Sequence, residues 1–190
     1  MLSQSSLLTR GEAFALLLEY TKSDALIKHA LAVEGTMRHM ARHYGEDEEL
    51  WAITGLLHDF DYEIHPDMER HPIGGARILR EKEIPEEVIQ AILGHSTHTG
   101  VPRETIMART LFSVDELAGF VVAVALVRPN KRLDEVQVSS VKKKLKDKAF
   151  ARNVSREDIR LGAEELGMDL DTLIGHVLEA LRPMAASLGL

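Results

Sequence analysis

The apolar residues of this chain recur at intervals of three and four, which is the spacing of residues on one face of an α-helix. Between residues 26 and 44 this spacing is continuous, through Leu26, Ala30, Val33, Met37, Met40 and Tyr44. Thr9 and Glu12 have the spacing of a capping box before an earlier helix. The pattern predicts an all-α fold.

Prolines and capping residues divide the rest of the chain into further predicted helices. Pro72 and Pro85 are each placed to be the first residue of a helix, where proline is favoured. Ser155 with Asp158 has the spacing of a capping pair. We predict helices at about 48–58, 72–83, 85–94, 103–127 and 155–166, and a last helix that begins at Asp169 or Asp171.

One segment has two interpretations. The run FVVAVALV at 120–127 is rich in β-branched residues, so it fits a buried strand as well as the end of a long helix. In the strand interpretation its partner in a hairpin is VQVSSV at 136–141. Periodicity alone does not decide between the two for a run this short.

Composition excludes several classes of protein. The 190 residues include no Cys, which excludes disulfides, thiolate metal sites and cysteine nucleophiles. Any metal site must therefore use nitrogen and oxygen ligands. The formal net charge of −7 argues against general nucleic-acid binding, which requires a basic face.

The sequence also lacks the marks of export or membrane insertion. The N-terminal segment has no basic leader followed by an apolar core. The longest apolar run, 117–127, is about half of the roughly 20 residues that a membrane-spanning helix needs. We expect a cytoplasmic protein that does not bind membranes.

Three predicted helices carry ionisable residues within apolar surroundings. His29 lies on the apolar stripe that begins at Leu26, and His58 and Asp59 follow the mostly apolar run 52–57. Asp115 interrupts the apolar run of a third helix. Burying such groups is costly unless they are paired or bind a metal. Neutral imidazoles and carboxylates form a ligand set for a divalent cation, and the alternative is a buried His–Asp hydrogen-bond network.

The order His29, His58–Asp59, Asp115 resembles the H…HD…D pattern of the HD domain superfamily of metal-dependent phosphohydrolases, and GLLHDFD at 55–61 is similar to the core of that pattern. The resemblance covers about 20–127. It implies a helical bundle with a metal site in its core. We therefore predict an HD domain at 1–130 and a C-terminal helical extension at 131–190 packed on the same domain.

Two further motifs resemble small HDIG-type members of this superfamily. RHPIGGARIL contains His71, and ILGHSTHTG contains His95 and His98. By this resemblance His71 and His95 supply ligands for a second metal, and His98 assists or replaces His95. The ions expected are one or two of Fe, Mn, Co, Ni, Zn or Mg.

Many HD hydrolases have a Lys near the substrate shortly after the HD pair, and this chain has Asp61, Tyr62 and Glu63 there instead. Other cations must then contact the phosphate of a substrate. The predicted substrate-binding residues are His98, Arg103, Arg128, Lys131 and Lys142, the last of which begins a basic stretch that ends at Lys148. His39 and His43 are expected on the surface, and His176 is expected to be structural.

These features favour hydrolysis of a small phosphorylated substrate, most simply a nucleotide. Enzymes of the EC 3.1 or 3.6 type carry out such reactions. His58 and Asp59 are the predicted catalytic residues, and a metal lowers the pKa of the attacking water. Two alternatives remain open at this point. One is a non-catalytic module that binds metal and nucleotide, and the other is a di-iron oxygenase of the same superfamily.

Overall fold

A computed structural model of the chain describes residues 7–190. Residues 1–6, part of the N-terminal segment considered above, lie outside the described residues. Within the described part all regular elements are helical, which confirms the all-α prediction. The helices are α1 Arg10–Tyr20, α2 Asp24–Tyr44, α3 Glu48–Leu57, α4 Ile73–Glu81, α5 Glu86–Gly94, α6 Ile106–Leu126, α7 Val138–Leu145, α8 Arg156–Leu166, α9 Leu170–Leu181 and α10 Ala185–Leu188.

The predicted helix starts correspond to hydrogen bonds in the structure. Thr9 and Glu12 form the complete capping box of α1. Ser155 accepts a hydrogen bond from the backbone N–H of Asp158 at the start of α8. Asp169, not Asp171, caps α9. These caps satisfy N–H groups that have no partner within their own helix.

The segment at 120–127 is helical, so the hairpin interpretation is wrong. It forms the last turns of α6, and the predicted partner strand lies in the loop before α7 and in α7 itself. Helix α6 packs against α2, α5, α8 and α9, so it is apolar on several faces. Tertiary packing therefore overrides the weak preference of β-branched residues for strands.

Helices α2, α3 and α6 form the centre of the molecule. Helix α2 contacts both α3 and α6, and α5 covers α6 from another side. Of the C-terminal helices, α8 packs on α6, and α9 packs on both α2 and α6. The division into a domain at 1–130 and an extension at 131–190 stays a prediction. Among the described residues, every helix is too short or too polar to span a lipid bilayer.

Close packing of α8 on α6 depends on Gly162. A Cβ atom at this position would come within 2.6 Å of the Cα atom of Ser113 in α6. The Gly162→Ala variant is therefore expected to lose about 1–3 kcal/mol of unfolding free energy. In the matched control Gly175→Ala, a Cβ meets no atom within 4 Å, and helix propensity predicts a gain of up to about 1 kcal/mol. Urea denaturation measures both, and equal midpoints would contradict the packing argument.

Candidate metal centre

A first group of ligand atoms is formed where α2, α3 and α6 meet. The Nε2 atoms of His29 in α2 and His58 at the end of α3 are 3.2 Å apart. Asp115 Oδ1 in α6 lies 2.9 Å from His29 Nε2 and 3.2 Å from His58 Nε2. Asp59 Oδ2 lies 3.5 Å from His58 Nε2 and 3.8 Å from His29 Nε2. The structure thus brings together the four residues predicted for one metal.

A second group uses the other oxygen of the same aspartate. Asp59 Oδ1 lies 3.1 Å from Nε2 of His71, which precedes α4, and 3.3 Å from Nε2 of His95, which follows α5. The HD-pair carboxylate therefore has one oxygen in each group. This is the arrangement expected of a carboxylate that bridges two ions.

Three imidazoles are oriented by the hydrogen bonds of their Nδ1 atoms. His58 Nδ1 lies 2.7 Å from the carbonyl oxygen of Gly55, and His71 Nδ1 lies 2.8 Å from Asp61 Oδ1. The carbonyl of Ile92 is the partner of His95 Nδ1. These oxygens accept, so Nδ1 donates in each case and Nε2 is left to bind either a proton or a metal ion. An Nε2 atom close to a carboxylate oxygen is favourable only when a proton or a metal ion lies between the two atoms.

The spacing of the ligand atoms fits a metal ion. Nitrogen and oxygen atoms bound about 2.1 Å from one ion lie about 3.0–3.4 Å from each other. The distances among His29, His58 and Asp115 are 2.9–3.2 Å. Imidazole with carboxylate suits Fe, Mn, Co, Ni and Zn. In each of the two groups the ligand atoms lie within 4.8 Å of one another, so both groups are able to hold a divalent cation.

The two groups open into a cavity of about 460 Å³. Five of the six predicted ligands line it, and His58 is fully buried behind them. His98 also lines the cavity, and its Nε2 atom lies 3.0 Å from the carbonyl oxygen of His71. The remaining walls are formed by Tyr62, Pro66, Asp67, Met68, Ser96, Thr97, Phe112, Glu116 and Asp158.

Comparison with protein families agrees with this geometry. Residues 26–119 match the model of the HD domain, and the matched segment contains all six predicted ligand residues. This segment is an HD domain. The match supports a metal-dependent hydrolase of the HD type, with a site for a divalent metal in this segment.

Curated proteins similar to this chain are named Ribonuclease Y. The one from Lawsonia intracellularis is 28% identical over 169 residues, which cover 82% of this chain and 30% of the relative. The one from Oleidesulfovibrio alaskensis is 30% identical over 98 residues, 51% of this chain and 18% of the relative. The one from Lactobacillus acidophilus is 28% identical over 113 residues, 59% and 19%, respectively. The chain matches less than a third of the length of these relatives.

No solved structure gives a significant match to this chain. The HD domain is therefore identified from its sequence and from the placement of its ligands.

The pKa values of the predicted ligands depend on the charges of their neighbours. Burial by itself lowers the pKa of His58, but the carboxylates of Asp59 and Asp115 outweigh it and raise this pKa to about 10. Burial also opposes protonation of His71, and hydrogen bonds to Asp59 and Asp61 raise its pKa to about 9. In the metal-free protein, protons therefore occupy these imidazoles at neutral pH.

This proton binding predicts how metal affinity depends on pH. A metal binds His58 and His71 only after their protons leave, and the raised pKa values keep those protons bound near neutrality. The apparent association constant for Mn²⁺ is therefore expected to rise by about tenfold per pH unit for each proton released, between about pH 6 and pH 8. Competition with a chelator of known affinity measures it. An affinity independent of pH would contradict this coupling.

The pKa values of the carboxyl groups at the site are shifted in opposite directions. Burial opposes ionisation of Asp59 and Asp115, but the positive charge of His58 holds the pKa of both well below the usual range. Glu116, the neighbour of Asp115 on α6, differs from them. Burial, with repulsion from Asp115, raises the pKa of Glu116 to about 7. The cavity thus contains a carboxyl group that exchanges protons near neutral pH, which the sequence pattern did not single out.

Asp61 is a second residue that the sequence interpretation missed. The sequence interpretation notes only that it stands in the stretch where many HD hydrolases have a Lys. In the structure Asp61 is buried and receives hydrogen bonds from His71 Nδ1 at 2.8 Å and from the backbone N–H of Gly75 at 2.7 Å. A Cβ at Gly75 would come within 2.7 Å of the Asp61 carboxyl carbon. The H-x-x-x-G spacing from His71 to Gly75 therefore leaves room for this carboxylate.

Asp61 is expected to control occupancy of the second group alone. Asn in its place cannot accept from both His71 and Gly75, because its NH₂ group donates. The Asp61→Asn variant should bind the second ion about 10–100-fold more weakly, as is usual when a partner of a ligand is lost, and retain the first. Glu63→Gln is the matched control, since Glu63 caps the backbone of Lys22 and Ser23. Titration with Mn²⁺ measures both, and equal affinities would refute the role of Asp61.

The four cations predicted to bind substrate do not line the cavity, which corrects that prediction. Arg103 forms an ion pair with Glu165, with Nε 2.6 Å from Oε2, and donates to the carbonyl of Gly94 at 2.9 Å. Its guanidinium also stacks 3.8 Å from the ring centroid of Phe112. Arg103 thus serves to join α8 to the loop before α6.

The other three cations lie beyond the end of α6. Arg128 donates to Ser140, Lys131 is exposed, and Lys142 lies 2.7 Å from Asp171 of α9. Pairing with nearby acceptors, and not with a substrate, accounts for the positions of Arg128 and Lys142. The basic stretch that begins at Lys142 does not cover the metal centre.

Proposed function

We propose that this chain is a metal-dependent phosphohydrolase that acts on a small phosphorylated substrate, of the nucleotide class. The observation that carries the proposal is the position of Asp59. Its two carboxylate oxygens face two separate groups of imidazoles at an open cavity. A shared carboxylate of this kind suits two ions that act on one phosphoryl group.

A divalent metal held by these residues would lower the pKa of bound water and would offset negative charge on the phosphoryl oxygens. Asp59 holds one oxygen toward each ligand group, and His58 is kept in place by Gly55. Glu116 lines the same cavity, and in the metal-free protein burial and repulsion from Asp115 raise the pKa of its carboxyl group to about 7.

The cavity supports a substrate with one phosphate. Its volume of about 460 Å³ lies within the roughly 300–1,000 Å³ of small-molecule sites. Among the described residues that line it there is no Lys or Arg, and three carboxylic residues are present besides the ligands, Asp67, Glu116 and Asp158. Such walls do not offset the charge of a polyphosphate. This favours a phosphomonoester over a phosphoanhydride.

A second candidate is hydrolysis of phosphodiester bonds in RNA. The observation in its favour is that similar curated proteins carry the name Ribonuclease Y. The net charge of −7 and the acidic cavity walls favour the small substrate instead.

The test combines elemental analysis of the purified protein with a substrate screen. The screen measures phosphate release from nucleoside mono-, di- and triphosphates and from simple phosphomonoesters, and cleavage of a short oligoribonucleotide, each with Mn²⁺ and with a chelator. We expect release from monophosphates that the chelator abolishes. Oligoribonucleotide cleavage without phosphate release would establish the second candidate, and metal binding without any turnover would contradict both.

A further inference from the structure

A second histidine cluster lies on the opposite part of α2, where α9 packs against it. The Nε2 atom of His39 is 3.0 Å from Nδ1 of His176 and 3.8 Å from Oε2 of Glu179. His39, which is expected on the surface, is half-buried because α9 covers part of its ring, and His43 is exposed. His43, one turn further along α2, stacks on His176 with ring centroids 4.4 Å apart.

These side chains are separate from the HD domain centre. His29 and His39 belong to the same helix and are ten residues apart, which is about 15 Å along the axis. No residue of the cluster lines the cavity at the metal centre. Whatever this cluster binds is therefore not bound by the hydrolytic site.

We propose that His39, His176 and Glu179 form a separate binding site, outside the HD domain centre, for a transition metal ion such as Zn²⁺. One ligand atom from each of the three residues lies within 4.8 Å of the others. Two imidazoles with one carboxylate are a ligand set that binds Zn²⁺ in proteins and leaves a position for water. The ligands combine an HD-domain helix with a C-terminal helix.

A metal ion at this site would link helix α2 to helix α9. His39 comes from α2, within the HD domain, whereas His176 and Glu179 come from one face of α9, three residues apart. An ion held between them joins the C-terminal helices to the HD domain. Binding to the folded chain alone would raise its stability by mass action.

Alternative explanations for the cluster lead to different measurements. The simplest is a hydrogen bond between the two imidazoles, in which one nitrogen donates and the other accepts. A pair of this kind holds no ion, and its loss would change the stability of the protein equally with and without Zn²⁺. The metal proposal requires a difference between these two conditions.

The experiment counts ions per chain after dialysis against Zn²⁺ alone, for the wild type and for the double variant His39→Asn/His176→Asn. We expect the double variant to bind one Zn²⁺ fewer per chain, to lose the part of the Zn²⁺-dependent rise in Tm that this ion supplies, and to keep wild-type phosphate release. The control His43→Asn, which removes a histidine that stacks on the cluster without ligating, should bind as many ions as the wild type.

Crystals of the wild-type protein soaked in Zn²⁺ provide a measurement that does not depend on the variants folding. An anomalous difference peak between His39, His176 and Glu179 is expected. Equal ion counts in the wild type and the double variant, the same loss of an ion in His43→Asn, or no peak at this position would overturn the proposal. None of these outcomes depends on whether the chain hydrolyses phosphate.

Discussion

Replacing Asp59 with Asn is expected to abolish hydrolysis while leaving the fold intact. The substitution keeps the shape of the side chain and removes the charge that faces both groups of imidazoles, at 3.1 Å from His71 and 3.5 Å from His58. We expect kcat/KM to fall by at least about a thousandfold, which corresponds to about 4 kcal/mol of lost transition-state stabilisation.

The fold is expected to survive because Asn keeps the volume of Asp59, and because Asp115 and Asp61 remain as partners of His58 and His71. Circular dichroism and the urea midpoint of the metal-free protein measure this directly. Asp67→Asn is the matched control, since Asp67 lines the same cavity but forms an ion pair with Arg70 and faces neither ligand group. Turnover of Asp59→Asn within about threefold of the wild type would exclude a direct role for Asp59 in the reaction.

The ligand residues could be predicted from sequence because each one interrupts a local pattern. His29 and Asp115 are ionisable residues on apolar faces of helices, and the HD pair follows a buried run. Such positions favour function because an unpaired buried charge is destabilising. The fold class followed from the same periodicity.

The partners of these residues could not be predicted in the same way. Asp61 contacts His71, ten residues later, only because the loop between them folds back. The ion pair of Arg103 with Glu165 joins residues that are 62 positions apart. Charge density along the chain suggested that the cations bind substrate. Tertiary packing determines which acceptor lies nearest to each cation. The periodicity of a helix in the sequence does not reveal that packing.

Sequence also left the electrostatics of the cavity open. Glu116 follows a predicted ligand on a helix, and from spacing alone it has no special status. Its raised pKa depends on burial and on the neighbouring Asp115, and both are properties of the assembled site. The acidic residues Asp67 and Asp158 come to the same cavity from distant segments.

His58→Ala and His71→Ala are expected to have different effects on metal content. His58 is fully buried, with its ring between those of His29 and His95 at centroid distances of 5.1 and 5.3 Å. Its Nε2 atom also faces Asp59 and Asp115. Removal of this imidazole takes a ligand from the first group. It also removes the ring that packs against His95 of the second group. His58→Ala should therefore lose both ions.

His71→Ala should lose only the second ion. His71 contacts Asp59 Oδ1 and Asp61 but none of the first-group residues other than Asp59, so the nitrogen and oxygen atoms of His29, His58 and Asp115 keep their positions. Elemental analysis after dialysis against Mn²⁺ measures the number of ions per chain in each variant. The urea midpoint establishes that both variants are folded. Equal metal content in the two folded variants would contradict the assignment of His58 and His71 to different groups, because only one of these residues lies where both groups meet.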